Sequence, residues 1–117
     1  MRITEIDFGG AKPIDGYGPG FFRVGLEKYE GNLAMLPHGP LAWGGFAEPG
    51  LFVTAAGDLD VVLVGSGAEI TAIPAVFRDA LVAAGIGVEF MSTASACRTY
   101  NVLLNEGRRV GAALIAI

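Results

Sequence analysis

A single cysteine, Cys97, stands between small hydroxyl residues and Arg98, and it is the first candidate for chemistry in this chain. At the start of a helix and beside a cation, a thiol loses its proton more easily, because both features stabilise the thiolate. Such a thiol can act as a nucleophile. Free cysteine is also commonly a small, buried apolar side chain. The residue types therefore leave two interpretations open, a reactive thiol and a packed one.

A second candidate is the segment Gly65, Ser66 and Gly67, which directly follows the apolar run at residues 61–64. The backbone N–H groups of a glycine-rich turn can hold a phosphate or another anion. A dinucleotide-binding fingerprint, however, requires a glycine at position 70, where this chain has Ile70, and the lysine of a P-loop is absent. A tight turn against a neighbouring backbone explains the same glycines without a ligand.

The second half of the chain shows a β-α-β-α-β order. Residues 61–64 predict a buried strand, and Pro74 predicts the start of a helix that Gly85 ends, with apolar residues on one face. Residues 88–91 predict the next strand, 97–106 a second helix ended by Gly107, and 109–117 a last strand. The strands at 61 and 88 are expected to be parallel through a right-handed crossover.

The first half is rich in predicted strands, at residues 3–8, 21–24 and 33–36. The tripeptide at 30–32 predicts a hairpin turn between the last two, and residues 17–20 predict a turn. Trp43 is expected either in the core or in a protein interface. Residues 1–117 are therefore expected to form one three-layer α/β domain around a central mixed sheet, with a hairpin-containing first half.

Ligands of open α/β sheets bind outside the carboxyl ends of parallel strands. We expect residues 65–68 and 92–96 to lie side by side there, with the helix cap near Ser95 or Ala96 and Cys97 in the first turn. The hypothetical ligand-binding crevice between residues 65–68 and 92–101 is lined by Gly65, Ser66, Gly67, Thr93, Ser95, Cys97, Arg98 and Asn101. The sequence assigns no catalytic residue and no cofactor. It also assigns no metal ligand, since His38 and one cysteine are too few for a zinc site.

Composition narrows the class of partner. Eight Lys and Arg against twelve Asp and Glu give a net charge of -4, which argues against a nucleic-acid partner. The longest apolar run, residues 112–117, is too short to span a membrane, and the first residues lack a signal-peptide core, so a cytoplasmic location is expected. Charged residues make up only 17% of the chain, so apolar surface is expected to meet a protein partner or a second copy.

The segment from Ala96 to Asn101, continued by residues 106–108 and 111–115, resembles a family of small α/β proteins of unknown biochemical function. That family includes the mitochondrial complex I (NADH:ubiquinone oxidoreductase) assembly factor three. The likeness extends to residues 20–24, 31–37, 61–67 and 85–89 and to Trp43. The resemblance implies a three-layer domain around a mixed sheet, without an established catalytic activity. Compared with the mitochondrial members, the chain is expected to lack a targeting presequence and a tail beyond Ile117, as a bacterial member would.

Two functions follow from these observations. The first is a non-catalytic interaction module that resembles assembly factors. It would bind a protein partner or form a homodimer, and it would associate peripherally with a membrane complex. The second is a small-molecule or anion-binding protein, or an enzyme, that uses the crevice between residues 65–68 and 92–101. The sequence favours the first.

Overall fold

The computed structural model describes residues 10–117, so the strand predicted at residues 3–8 lies outside the described part. The strands are β1 (Gly16–Gly18), β2 (Phe21–Val24), β3 (Glu27–Glu30), β4 (Leu33–Leu36), β5 (Gly39–Ala42), β6 (Val61–Gly65), β7 (Gly87–Met91) and β8 (Val110–Leu114). The helices are α1 (Gly50–Thr54), α2 (Ala75–Ala83) and α3 (Thr93–Asn105), with a short 3-10 helix at Ala56–Asp58.

A five-stranded mixed sheet, in the order β5-β4-β8-β6-β7, forms the centre of the molecule. Strands β6, β7 and β8 are parallel, whereas β4 is antiparallel to both β8 and β5. The predictions of a mixed sheet and of parallel strands at 61 and 88 are therefore confirmed. Strands β6 and β8 are continuously apolar and buried because both faces of the sheet are covered there, whereas the edge strand β7 is largely exposed.

Alternate residues of these strands point to opposite faces, and each face has its own hydrophobic cluster. Leu63 and Ala112 face α3 and the first-half strands, in a cluster that includes Phe22 and Tyr100. Val62, Val64 and Ala113 face the other way, towards the layer of α1 and α2. The described residues thus form the three-layer α/β arrangement that the sequence predicts.

The first-half hairpin differs from the prediction. β2 pairs with β3 and not with β4, so the turn predicted at residues 30–32 is wrong, and Gly25 and Leu26 form the hairpin turn instead. Gly25 has φ +63, a conformation that a glycine at the first turn position adopts without strain. Strand β1 adds to β2 and completes a separate three-stranded antiparallel sheet. Residues 30–32 connect this small sheet to the central one.

Two helix starts also differ from the prediction. Pro74 precedes α2 as its N-cap residue, with ψ 133, rather than being its first helical residue. Helix α3 begins at Thr93, four residues earlier than predicted, because the Ser92 side chain accepts a hydrogen bond from the Ser95 N–H and caps it. Cys97 is therefore the fifth helical residue and does not lie in the first turn. The predicted helix ends at Gly85 and Gly107 are confirmed, with φ +87 and +77.

Candidate functional site

The loops at the carboxyl ends of β6 and β7 lie side by side, as the sequence predicts. The Gly67 N–H donates to Thr93 Oγ1 at 2.9 Å, and the Thr93 N–H donates to the Gly67 carbonyl at 2.8 Å. A Cβ atom on Gly65 would lie 2.8 Å from Thr93 Cα, so only glycine permits this approach of β6 to α3. The glycines thus allow two backbone segments to meet directly.

The hydroxyl groups of the predicted crevice are engaged within the protein. Thr93 is fully buried, and its hydroxyl donates to the Ile115 carbonyl at 2.8 Å in addition to accepting from Gly67. The Ser66 hydroxyl accepts from the Thr71 N–H at 2.9 Å and lies 3.2 Å from the Met91 carbonyl oxygen. These bonds fasten the loops after β6 and β7 to each other and to the end of β8.

The polar residues of α3 divide between internal and exposed roles. The Asn101 side chain accepts from the Ile14 N–H at 2.8 Å and donates to the Ile14 carbonyl at 2.7 Å, so it holds the segment before β1 against the helix. Arg98 is exposed and donates to Ser95 Oγ at 3.3 Å. The structure therefore uses Asn101 for internal contacts and leaves Arg98 at the surface. Ligand binding by the eight predicted residues stays a prediction.

The Cys97 thiol is buried in the cluster between α3 and the central sheet, with 4% of the residue exposed. Burial disfavours the thiolate and raises the pKa of Cys97 to about 11, although the nearby Arg98 charge acts in the opposite direction. The burial effect exceeds the charge effect because the arginine extends into water, where its field is screened. Of the two interpretations of Cys97, these observations support the packed, buried side chain.

We expect native Cys97 to react with iodoacetamide at pH 7 far more slowly than a simple thiol, because a pKa of about 11 leaves roughly one thiolate in 10,000 molecules. Labelling followed by mass spectrometry, with and without denaturant, measures the difference. Denatured protein serves as the control and should label at the rate of a free cysteine. Native labelling as fast as that of glutathione would show that the thiol is activated.

A cleft of about 870 Å³ lies at the opposite end of the sheet, beside the amino ends of β6 and β8. It is lined by Ala11, Pro37, His38, Leu51, Thr54, Ala55, Asp58, Leu104, Gly107, Arg108, Arg109 and Val110. Its lining combines apolar side chains from α1, α3 and β8 with a histidine, a threonine and charged residues. A cleft of this volume with mixed lining is suited to a small molecule or a peptide segment.

One of the cleft arginines is fixed by a neighbouring carboxylate. Arg109 donates to both oxygens of Asp60, at 2.8 and 3.3 Å, and also to the Gly57 carbonyl at 2.9 Å. The hydrogen bond from Arg109 lowers the pKa of Asp60, and the same pair raises the pKa of Arg109. This fork joins the 3-10 helix to the start of β8 and fixes one wall of the cleft. Arg108 is exposed beside it.

No sequence pattern points to this cleft, because its lining comes from short segments that are far apart in the chain. Among the polar lining residues, the Arg108-Arg109 pair has a structural explanation that needs no ligand. The pair follows the end of α3, where positive charge offsets the negative end of the helix dipole. Within residues 10–117 no group of three or more potential ligands is placed to hold a metal ion.

Several large apolar side chains are exposed on other surfaces. On α2, Val76 is 80% and Val82 is 56% exposed, and Ile70 before that helix is 60% exposed. On β7, Phe90 is 44% exposed. Among the described residues, no helix is both long and apolar enough to cross a membrane.

Comparison with known proteins identifies the family. Residues 14–115 match the family model described as protein of unknown function, DUF498/DUF598. An uncharacterized protein of Rhodobacter capsulatus is 49% identical over 115 residues, which cover 98% of this chain and 93% of the relative. The human NADH dehydrogenase [ubiquinone] 1 alpha subcomplex assembly factor 3 is 32% identical over 122 residues, which cover 98% of this chain but 66% of the human protein.

A solved structure supports the same assignment. The crystal structure of an outer membrane protein from Bartonella henselae superposes with a TM-score of 0.84 at 34% identity, covering 94% of this chain and 98% of that one. The resemblance predicted from the sequence is therefore confirmed, including its relation to a complex I assembly factor. This chain belongs to the DUF498/DUF598 family of proteins of unknown function.

Proposed function

We propose that this chain is a protein-interaction module that helps to assemble a respiratory NADH dehydrogenase and binds a client subunit through the cleft between α1 and the end of α3. The observation that carries the proposal is the cleft itself, with its mixed apolar and polar lining. In the crevice predicted between residues 65–68 and 92–101, the side chains of Thr93 and Asn101 are engaged in internal hydrogen bonds. The cleft is therefore the better candidate for binding.

The lining of the cleft suits an extended peptide segment with apolar side chains. Leu51, Ala55 and Leu104 offer apolar contacts, while the hydroxyl of Thr54 can bond to peptide groups. Arg108 lies exposed at the same cleft and would favour an acidic residue in the bound segment. The Asp60 partner of Arg109 neutralises that second cation, and Asp58 adds a negative charge to the lining, so we propose a mainly apolar client segment.

The identity of the client is proposed from the relatives. The human relative is named as an assembly factor of an NADH dehydrogenase, and its similarity covers 98% of this chain. We extend this role to the present chain as a proposal and place it in the cytoplasm, peripherally associated with the membrane complex during assembly. The bound client would be a subunit or intermediate whose apolar surface is still uncovered.

The proposal is tested in the native cell by deleting the gene and restoring it as wild type or as Ala55→Glu. We expect the deletion to lower the amount of assembled NADH dehydrogenase, and Ala55→Glu to restore it poorly, because the carboxylate would be buried against the client. Blue native gels and NADH oxidation by membranes measure the outcome. Ala83→Glu, the same change on the exposed surface of α2, is the matched control and should restore the complex fully.

Two results would contradict the proposal. Normal levels of the complex in the deletion strain would remove the assembly role. Full restoration by a stably expressed Ala55→Glu protein would remove the cleft as the binding surface. Circular dichroism and the melting temperature of each purified variant exclude unfolding as the cause of a loss.

An anion or small-molecule site between residues 65–68 and 92–101, in a binding protein or enzyme, is the second proposal. Exposed Arg98 and its contact with Ser95 are the features that favour it. A shift of the melting temperature by millimolar phosphate, nucleotides or carboxylates tests it, since binding to the native state raises apparent stability.

A further inference from the structure

Strand β7 forms one edge of the central sheet and pairs only with β6 among the described strands. In this parallel pair, the Gly87 N–H donates to the Asp60 carbonyl, and the Met91 carbonyl accepts from the Ser66 N–H. Because backbone groups alternate in direction along a strand, the N–H and C=O groups of Val88 and Phe90 point away from β6. The edge therefore offers two outward donors and two outward acceptors to another strand.

The opposite edge of the same sheet is protected in a way that β7 is not. On β5, Pro40 stands opposite Met35, and proline has no N–H to offer to an incoming strand. Proteins commonly protect exposed edges with proline, with charged side chains, especially lysine, or with bulges. Strand β7 has Glu89 as its one charged residue and contains no proline, lysine or bulge within Gly87–Met91, and it displays Phe90 with 44% of its surface exposed. The contrast indicates that the β7 edge is covered by a partner.

We infer that a second copy of this chain covers the edge, by antiparallel pairing of β7 with β7 about a two-fold axis at Phe90. In this register Phe90 of each copy lies opposite its equivalent, and Glu89 lies opposite Met91 of the other copy. The two Phe90 residues exchange both of their outward backbone hydrogen bonds, and Val88 lies opposite Ser92 of the other copy, so the two five-stranded sheets join into one continuous sheet.

Charge selects this register over the neighbouring one. An axis at Glu89 would instead place Val88 opposite Phe90 and use the outward groups of both, but it would place the two Glu89 carboxylates directly opposite each other at a closely spaced pair. Like charges at such a cross-strand pair are destabilising. The axis at Phe90 avoids this repulsion and pairs two aromatic rings on the face that carries α2, because Phe90 shares that face with Val88 of the α2 cluster.

A second copy also fits the composition of the chain better than a highly charged partner. Hydrophobic residues make up 52% of the sequence and charged residues 17%, so little polar surface is available to cover the fold. The β7 edge itself contains one charged residue, Glu89. Its pairing with an identical strand requires no compensating charge on the partner.

The test is the molar mass of the purified chain by light scattering after size exclusion, over a range of concentrations. We expect the wild type to have twice the mass of the chain. We expect the Phe90→Lys dimer to dissociate at protein concentrations at least about tenfold higher than the wild-type dimer does, because two ammonium groups would meet at the axis. Val102→Lys is the matched control, since Val102 is 56% exposed on α3, and it should remain dimeric.

A second pair of variants tests the register without relying on dissociation. Under mild oxidation, Phe90→Cys is expected to form a disulfide between copies and Glu89→Cys is not, while native Cys97 is buried and does not compete. A monomeric wild type at millimolar concentration, or a dimer unaffected by Phe90→Lys, would overturn the inference. Neither result bears on client binding at the cleft, whose test is independent.

Discussion

Thr93→Val is expected to lower the free energy of unfolding by about 1–3 kcal/mol, the cost of leaving two part-buried backbone groups without their partner. The valine has the shape of threonine, so it fills the same space at the fully buried position. It cannot accept from the Gly67 N–H or donate to the Ile115 carbonyl, at 2.9 and 2.8 Å in the native protein. Urea denaturation followed by circular dichroism measures the loss.

The matched control for this change is Thr99→Val, which makes the same substitution at a half-buried position of α3. We expect it to cost less than about 1 kcal/mol, since surface substitutions seldom have large effects. Equal stability of Thr93→Val and wild type would show that the two loops do not depend on the hydroxyl, and it would reopen the crevice as a site with spare polar groups.

Tyr100→Ala is expected to cost about 3–5 kcal/mol, because it leaves a cavity in the cluster that joins α3 to the central sheet. Tyr100 is fully buried, and its hydroxyl donates to the Lys12 carbonyl at 3.2 Å. Its ring therefore packs in the core while its oxygen holds the segment before β1. Thermal and urea unfolding of the purified variant measure the effect.

Tyr100→Phe separates the ring from the hydroxyl. It removes one hydrogen bond and keeps the packing, so we expect a loss of about 1 kcal/mol. If Tyr100→Phe were as damaging as Tyr100→Ala, the hydrogen bond to Lys12 and not the packing of the ring would dominate. If neither variant changed stability, the cluster around α3 would not be part of the cooperative core.

Much of the second half of the fold could be predicted from the sequence, because its apolar residues repeat with clear periods. Val62 and Val64 alternate with Leu63 between two helix layers, and Phe77 and Leu81 recur on one face of α2. Glycine at 85 and 107 marks helix ends where φ is positive. In these segments local preference and tertiary packing favour the same structure.

The hairpin could not be predicted in the same way. Strand β3 reads Glu27, Lys28, Tyr29 and Glu30, a charged segment whose burial pattern is largely exposed, so it lacks the apolar signal of a strand. Lys28 instead places its ammonium group 4.7 Å from the centre of the Phe21 ring, a contact between strands that sequence spacing does not show. The apolar pattern of β4 therefore favours a pairing of β2 with β4, and it does not indicate the turn at Gly25.

Which of the two candidate sites is free to bind a ligand also could not be predicted from the sequence. The adjacency of the loops after β6 and β7 follows from parallel topology, and it was predicted. Whether Thr93 and Asn101 face a ligand or bond internally depends on atoms of Ile115 and Ile14, which come from distant segments. The cleft at the other end likewise requires α1, the β4–β5 turn and the end of α3 to be in place.

The most direct test of binding through the cleft is site-specific photocrosslinking in the native cell. A photoreactive phenylalanine analogue at position 55 would lie in the cleft, and one at position 98 would lie on the exposed face of α3, outside the residues that line the cleft. We expect mass spectrometry to identify an NADH dehydrogenase subunit attached at position 55 and not at position 98. Attachment of such a subunit at position 98 alone would contradict binding through the cleft.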